Sequence, residues 1–175
     1  MANGVQVLII SRASGMALTL PVVDSQHLPP DGTRIQQQSP SNRSPTGTLP
    51  GQAWTLVPAD SVAGVFKIVS ALTKKVLDVR GASTADGAVI QQFHDHGSEN
   101  QQWKLVLMDT TVDPTDPTSP TQFDFTIMSV NSLKVLDVPL NQVEQDGTFI
   151  QQYTYNGGTN QRWTVAYTPP FGPEG

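Results

Sequence analysis

Apolar and polar residues alternate along several short stretches of this chain. Val65-Phe66-Lys67-Ile68-Val69 and Phe123-Asp124-Phe125-Thr126-Ile127 are the clearest, and a period of two is the signature of a half-buried strand. Asp-Gly pairs at Asp31-Gly32, Asp86-Gly87 and Asp146-Gly147 punctuate the pattern and mark tight turns between strands. Glycine and proline number 14 each and charged residues make up only 14%. That composition suits a loop-rich all-β domain, and long helices are not expected.

The strands belong to a unit that occurs three times. The middle copy runs Val76-Leu77-Asp78-Val79, Asp86-Gly87, Ile90-Gln91-Gln92-Phe93 and Asn100-Gln101-Gln102-Trp103. The last repeats it as Val135-Leu136-Asp137-Val138, Asp146-Gly147, Ile150-Gln151-Gln152-Tyr153 and Asn160-Gln161-Arg162-Trp163. The first keeps the frame and loses the polar detail: Ala17-Leu18-Thr19-Leu20, Asp31-Gly32, Ile35-Gln36-Gln37-Gln38 and Gly51-Gln52-Ala53-Trp54. Ile90 to Trp103 and Ile150 to Trp163 span 13 residues, whereas Ile35 to Trp54 spans 19. The excess falls in Pro40 to Pro50, a Ser/Pro/Thr stretch that reads as a surface loop. Asp109 to Pro120 reads as a long Pro-rich connection.

The expected organisation is one domain over 1–175, with repeats at about 3–58, 62–108 and 121–167 and the connection at 109–120. A domain boundary in that connection would leave neither side a full set of repeats to bury its apolar face. About four short strands per copy, roughly twelve in all, would close by three-fold repetition into a barrel-like body without exposed edges.

Charge and cysteine content narrow the function. The net charge is -5 with no basic run, so the footprint that a phosphate backbone demands is missing and nucleic acid is a poor partner. Met1 to Gly4 lacks a basic leader region, and the apolar patch Val5 to Ile10 is too short for a signal core or a membrane span. The expected location is cytoplasmic, or outside the cell without a signal peptide. With no cysteine there is neither a disulfide framework nor a thiolate nucleophile.

The triplets Gln52-Ala53-Trp54, Gln101-Gln102-Trp103 and Gln161-Arg162-Trp163, with Leu-Asp-Val and Asp-Gly upstream in two copies, resemble the Gln-x-Trp repeat of ricin-B-like lectins over nearly the whole chain. The resemblance implies a β-trefoil with three pseudo-symmetric repeats and shallow sugar sites. It implies terminal galactose or N-acetylgalactosamine as the ligand, although family members that take xylose, mannose or extended glycans leave the sugar open. It also implies the glycans of glycoproteins or glycolipids as partners and no cofactor. Dimerisation would add valency, and a homodimer is compatible with the sequence.

Residues shared by all copies read as frame, and those confined to copies two and three read as site. Trp54, Trp103 and Trp163 persist even in the degraded copy and are assigned to the core, with the neighbouring Gln satisfying buried backbone groups. By the family motif, Asp78 and Asp137 correspond to the carboxylate that accepts from two sugar hydroxyls, the alternative being a turn-stabilising Asp. Phe93 and Tyr153 take the place of the aromatic platform for the less polar sugar face, with buried packing as the alternative. Asn100 and Asn160 match an amide that donates to one hydroxyl and accepts from another. His96 and Asn156 lie three residues beyond the aromatic. Gln91 and Gln151 are candidates with a structural share, since Gln36 fills the same place in copy one. Thr19, Gln38 and Gly51 replace the Asp, the aromatic and the Asn there, so copy one is expected to have no site.

No catalytic constellation stands out, and an enzyme is not expected. His94-Asp95-His96 with Glu99 offers a possible metal pair on one strand face without evident third and fourth ligands. No acid pair, nucleophile elbow or phosphate loop is singled out. The alternative from a different class is a trefoil protease inhibitor that presents Pro40 to Pro50 or Asp109 to Pro120 as an exposed loop. Such an inhibitor has no use for paired Asp, aromatic and Asn sets.

Overall fold

The computed structural model describes residues 5–23, 26–40, 51–59, 62–111 and 122–167. These hold twelve strands: β1 (Gln6–Ser11), β2 (Ala17–Thr19), β3 (Gln36–Gln38), β4 (Trp54–Pro58), β5 (Val65–Ser70), β6 (Val76–Val79), β7 (Ile90–Phe93), β8 (Trp103–Thr111), β9 (Gln122–Ser129), β10 (Val135–Asp137), β11 (Gln151–Tyr153) and β12 (Trp163–Tyr167). The only helical elements among the described residues are single 3₁₀ turns.

Six strands close a barrel. β1 pairs with β4, β4 with β5, β5 with β8, β8 with β9, β9 with β12, and β12 returns to β1. Every pairing is antiparallel, and closure removes the free edges that invite aggregation. The hairpins β2–β3, β6–β7 and β10–β11 cap one end. Each joins the barrel strand before it through one bridge, at Ile10–Ala17, Val69–Val76 and Met128–Val135. This is a β-trefoil, as the three-fold repetition implies.

One apolar cluster fills the interior. Leu18, Leu77 and Leu136, Ile35, Ile90 and Ile150, and Trp54, Trp103 and Trp163 are its equivalent members, all fully buried. Each indole donates to the backbone of its own repeat, at Leu18 O (2.9 Å), Leu77 O (3.1 Å) and Leu136 O (3.2 Å). A tryptophan can thus be buried whole without stranding its N–H.

The second glutamine of each Ile-Gln-Gln stitches the repeats together. The Gln37 amide donates to Val143 O and Gln145 O, that of Gln92 to Pro29 O and Pro30 O, and that of Gln152 to Ser83 O and Ala85 O, at 2.6–3.0 Å. The Asp-Gly turns complete the circle: Gly32 N donates to Gln92 O, Gly87 N to Gln152 O and Gly147 N to Gln37 O. Each turn is therefore held by another repeat's hairpin, a role beyond local turn chemistry.

β8 runs through Thr111, past the point where the sequence places the Pro-rich connection. A register shift between Leu107 and Asp109 lets Asp109, Thr110 and Thr111 pair with Asp124, Phe123 and Gln122, and β-branched threonines suit the extension. The remainder of that connection, 112–120, and loop residues 41–50 lie outside the described residues.

Candidate functional site

Two concavities lie on the capping hairpins, at equivalent places in repeats two and three. The first, of about 680 Å³, is lined by Asp78, Arg80, Gln91, Phe93, His96 and Asn100, among others. The second, of about 450 Å³, is lined by Asp137, Pro139, Leu140, Gln151, Tyr153, Asn156 and Asn160, among others. Together they bring all ten residues singled out in the sequence to two surfaces, five to each.

Strand register explains the convergence. Asp78 stands opposite Gln91 and Val76 opposite Phe93 across the β6–β7 hairpin, while Leu77 and Val79 turn to the core. In the last repeat Asp137 stands opposite Gln151 and Val135 opposite Tyr153. Because side chains alternate between faces, carboxylate, amide and aromatic share one face of each hairpin. A 3₁₀ turn then delivers the asparagine, Glu99–Gln101 in one repeat and Thr159–Gln161 in the other.

The carboxylates form the floor. Asp78 and Asp137 are 2% and 3% exposed, and each is held by three side-chain amides. Gln91 Nε2 donates to Asp78 Oδ1 at 2.8 Å, while Asn100 Nδ2 and Gln101 Nε2 donate to Oδ2 at 2.9 and 3.0 Å. Gln151, Asn160 and Gln161 do the same for Asp137 at 2.8, 2.9 and 3.0 Å. A carboxylate offers about four lone-pair positions. Three are filled and one, on Oδ1, stays open, where the family role counts on two. Burial pushes the Asp137 carboxyl above its ordinary value of 3.8, against the three amides, which act to lower it.

The asparagines differ from expectation in one respect. Asn100 Nδ2 donates to both Asp78 and Val79 O, and Asn160 Nδ2 to both Asp137 and Val138 O. Both amide hydrogens are spent, so only Oδ1 can meet a ligand, as an acceptor. Asn160 Oδ1 is buried and has no hydrogen-bond partner, a state that costs free energy unless a donor arrives.

The walls are amphipathic. Tyr153 is 40% exposed, and Phe93 is half-buried with its ring 4.5 Å from His94 and 6.1 Å, edge-on, from His96. His96 Nε2 stands 3.6 Å from Asp78 Oδ2, and its Nδ1 is 3.0 Å from Ser98 Oγ. Asn156 Oδ1 accepts from Gly158 N at 2.9 Å. Glutamines of the Gln-x-Trp triplets brace these loops: Gln101 donates to His94 O and accepts from His96 N, and Gln161 donates to Thr154 O and accepts from Asn156 N.

Repeat one presents a different set at the same place. Thr19 turns its hydroxyl to Ala17 O at 2.8 Å, and a side chain at Gly51 would run into Leu20 O. His94 contacts Asp31 at 2.8 Å and Asp95 pairs with Lys67 at 2.7 Å. Among the described residues there is no group of three or more metal-ligating side chains. No helix among them is long and apolar enough to cross a membrane.

Sequence reasoning missed two contributors. Arg80 lines the repeat-two site; comparison of the copies shows Pro139-Leu140 in place of Arg80-Gly81, a difference that points to unlike ligand preferences without marking Arg80 as a site residue. Gly32 reaches the same site from repeat one, which only the three-dimensional stitching reveals.

The family model described as ricin-type beta-trefoil lectin domain-like matches residues 50–119 and 117–170. The chain belongs to this family. Among solved structures, this ricin-type domain is similar to ThreeFoil, a designed 3-fold symmetric protein, with 33% identity, TM-score 0.71 and coverage of 92% of this chain and 97% of that one. It is also similar to part of 1,3Gal43A, an exo-beta-1,3-galactanase from Clostridium thermocellum, at 28% identity and TM-score 0.70, covering 95% of this chain but 31% of the galactanase. The ricin B-like lectin of Macrolepiota procera, solved in complex with lactose, shares the fold at 17% identity and TM-score 0.64, covering 95% of this chain and 97% of that one. No curated protein matches by sequence. Membership of this lectin-domain family supports carbohydrate binding.

Proposed function

We propose that the protein is a bivalent lectin for glycans ending in galactose or N-acetylgalactosamine, binding without turnover through the sites of repeats two and three. The observation that carries this is the duplicated floor. Each site presents a buried carboxylate with one open lone pair beside an asparagine oxygen whose amide hydrogens are spent. The open positions of that floor are all acceptors, which calls for a ligand rich in hydroxyls. The aromatic at its edge calls for an apolar face on the same ligand, and a pyranose supplies both. The galactose preference is supported by the galactan-cleaving enzyme that contains a similar domain and by the lactose-bound lectin of the same fold.

Each site gains a few hydrogen bonds and one stacking contact against water, so single-site binding is weak. Two sites on one body can engage a glycan-covered surface together, and avidity then exceeds single-site affinity by about 10²- to 10⁴-fold. Glycoprotein cross-linking is the expected activity.

The test is a glycan array probed with wild type, Phe93→Ala, Tyr153→Ala and the double variant. The reading expects galactose-terminated binding that survives each single change and vanishes in the double, with cross-linking lost in both singles. A folded wild type that binds no glycan overturns it.

A further inference from the structure

We propose that the repeat-two site takes a galactose-type sugar bearing an anionic group, a sulfate ester or a carboxylate, and that Arg80 selects it. This rests on the glycan-binding reading above and divides the two sites by ligand class.

The guanidinium is built into the site. Arg80 Nε donates to Gln91 Oε1 at 2.6 Å, and Nη2 donates to Gly32 O at 2.9 Å. Gln91 passes the connection on through its own amide to Asp78 Oδ1. Arg80, Gln91 and Gly32 all line the 680 Å³ concavity, so the head group is oriented at its rim by two neutral oxygens. Of five guanidinium N–H groups, two are thereby used and three remain.

No ion pair involves the exposed Arg80 among the described residues. Arg34, Lys74, Lys104 and Arg162 also lack a carboxylate partner there, but of all these side chains Arg80 alone lines a concavity. The one carboxylate of the site, Asp78, is buried and already accepts three hydrogen bonds. A planar guanidinium with free N–H groups fits the oxygens of a carboxylate or sulfate better than a lone hydroxyl. A local cation also draws an anion selectively in a chain whose net charge is -5.

Repeat three provides an internal comparison. Pro139 and Leu140 occupy the corresponding wall, with no charge, and the concavity is smaller, about 450 Å³ against about 680 Å³. The larger site has both room for a substituent beyond one sugar ring and the cation to meet it.

Calorimetric titration of the Tyr153→Ala protein, in which repeat three is silenced, with lactose, 3′-sulfolactose and 3′-sialyllactose tests this, the two anionic sugars separating sulfate from carboxylate. At low salt, one or both should bind about tenfold tighter than lactose, a margin on the scale of one charge-assisted contact. That ratio should fall towards one in Arg80→Gln, take an intermediate value in Arg80→Lys, which keeps charge without the fork, and shrink with added salt. The Phe93→Ala protein should show no such preference. Equal or tighter binding of lactose overturns the inference and leaves the lectin reading intact, as does a preference that Arg80→Gln does not change. Failure of all three sugars to bind the folded Tyr153→Ala protein overturns the glycan reading of repeat two and this inference with it.

Discussion

Replacing Asp78 by alanine should weaken the fold as well as the site, because this carboxylate anchors the residues that would otherwise frame a ligand. The change removes the acceptor of three amide hydrogens, from Gln91, Asn100 and Gln101, at 2.8–3.0 Å. Hydrogen bonds to a charged group are worth about 1.5–3 kcal/mol each, which sets a ceiling near 5–9 kcal/mol. Two effects reduce it. Asn100 and Gln101 keep their second acceptors, Val79 O and His94 O, and water can enter from the concavity to meet the freed hydrogens. The variant also escapes the cost of burying an ion. A net loss of about 2–4 kcal/mol is expected, equivalent to about 4–16 °C in Tm for a chain of this size. Urea unfolding followed by the fluorescence of the three buried tryptophans would measure it. Asp78→Asn, which keeps the volume but turns an N–H₂ group towards other donors, should lose a comparable amount. An Asp78→Ala protein within about 0.5 kcal/mol of wild type would refute the anchoring role, since that is the range of an indifferent surface change.

The raised carboxyl of Asp137 gives the repeat-three site a pH dependence. Because the folded value lies above 3.8, this group's contribution to stability is full below 3.8 and is lost as pH rises through the folded value; lactose binding runs the other way and weakens as pH falls through it, since a protonated acid loses its acceptor. Titration of the Phe93→Ala protein checks this, and affinity constant down to pH 3.8 would count against it. Restoring the missing site residues with Thr19→Asp and Gly51→Asn should create no third site and should cost about 1–3 kcal/mol, because Leu20 O stands where the new side chain must go; array binding and thermal melting report both. Leu133 holds φ at 59° while 69% exposed, at the place where repeat one has Gly15 at φ 70°. Leu133→Gly relieves that strain against a smaller entropic cost and should raise stability by about 0.5–1 kcal/mol in a denaturation series.

Much of the fold was legible because it is written three times. The buried tryptophans, the Asp-Gly turns and the period-two strands recur in every copy, and repetition turned weak local signals into a trefoil. The site was legible by subtraction, since Asp78, Phe93 and Asn100 have equivalents in Asp137, Tyr153 and Asn160 and none in the degraded copy. Subtraction cannot say which way an amide faces. That both hydrogens of Asn100 and Asn160 turn inward depends on the positions of Val79 O and Val138 O, and these follow from the hairpin's path rather than from residue type. Subtraction shows Arg80-Gly81 replaced by Pro139-Leu140 but not that Arg80 lines the site, and it is blind to Gly32, whose distance from Asp78 in sequence conceals that both line one concavity. The extent of β8 escaped for another reason: proline-rich composition after Thr111 masked two β-branched residues that pair with β9.

The borrowed Gly32 has a consequence for engineering. Repeat one lacks the Asp, aromatic and Asn of the other two, yet it forms part of the repeat-two recess, through the Gly32 carbonyl that holds Arg80 and the turn that docks on Gln92. Such a copy cannot be trimmed to make a smaller binder. If Arg80 selects the ligand, a change in that turn alters specificity exercised in another repeat, and a mutagenic library aimed at the second recess is incomplete unless it includes the residues around Gly32.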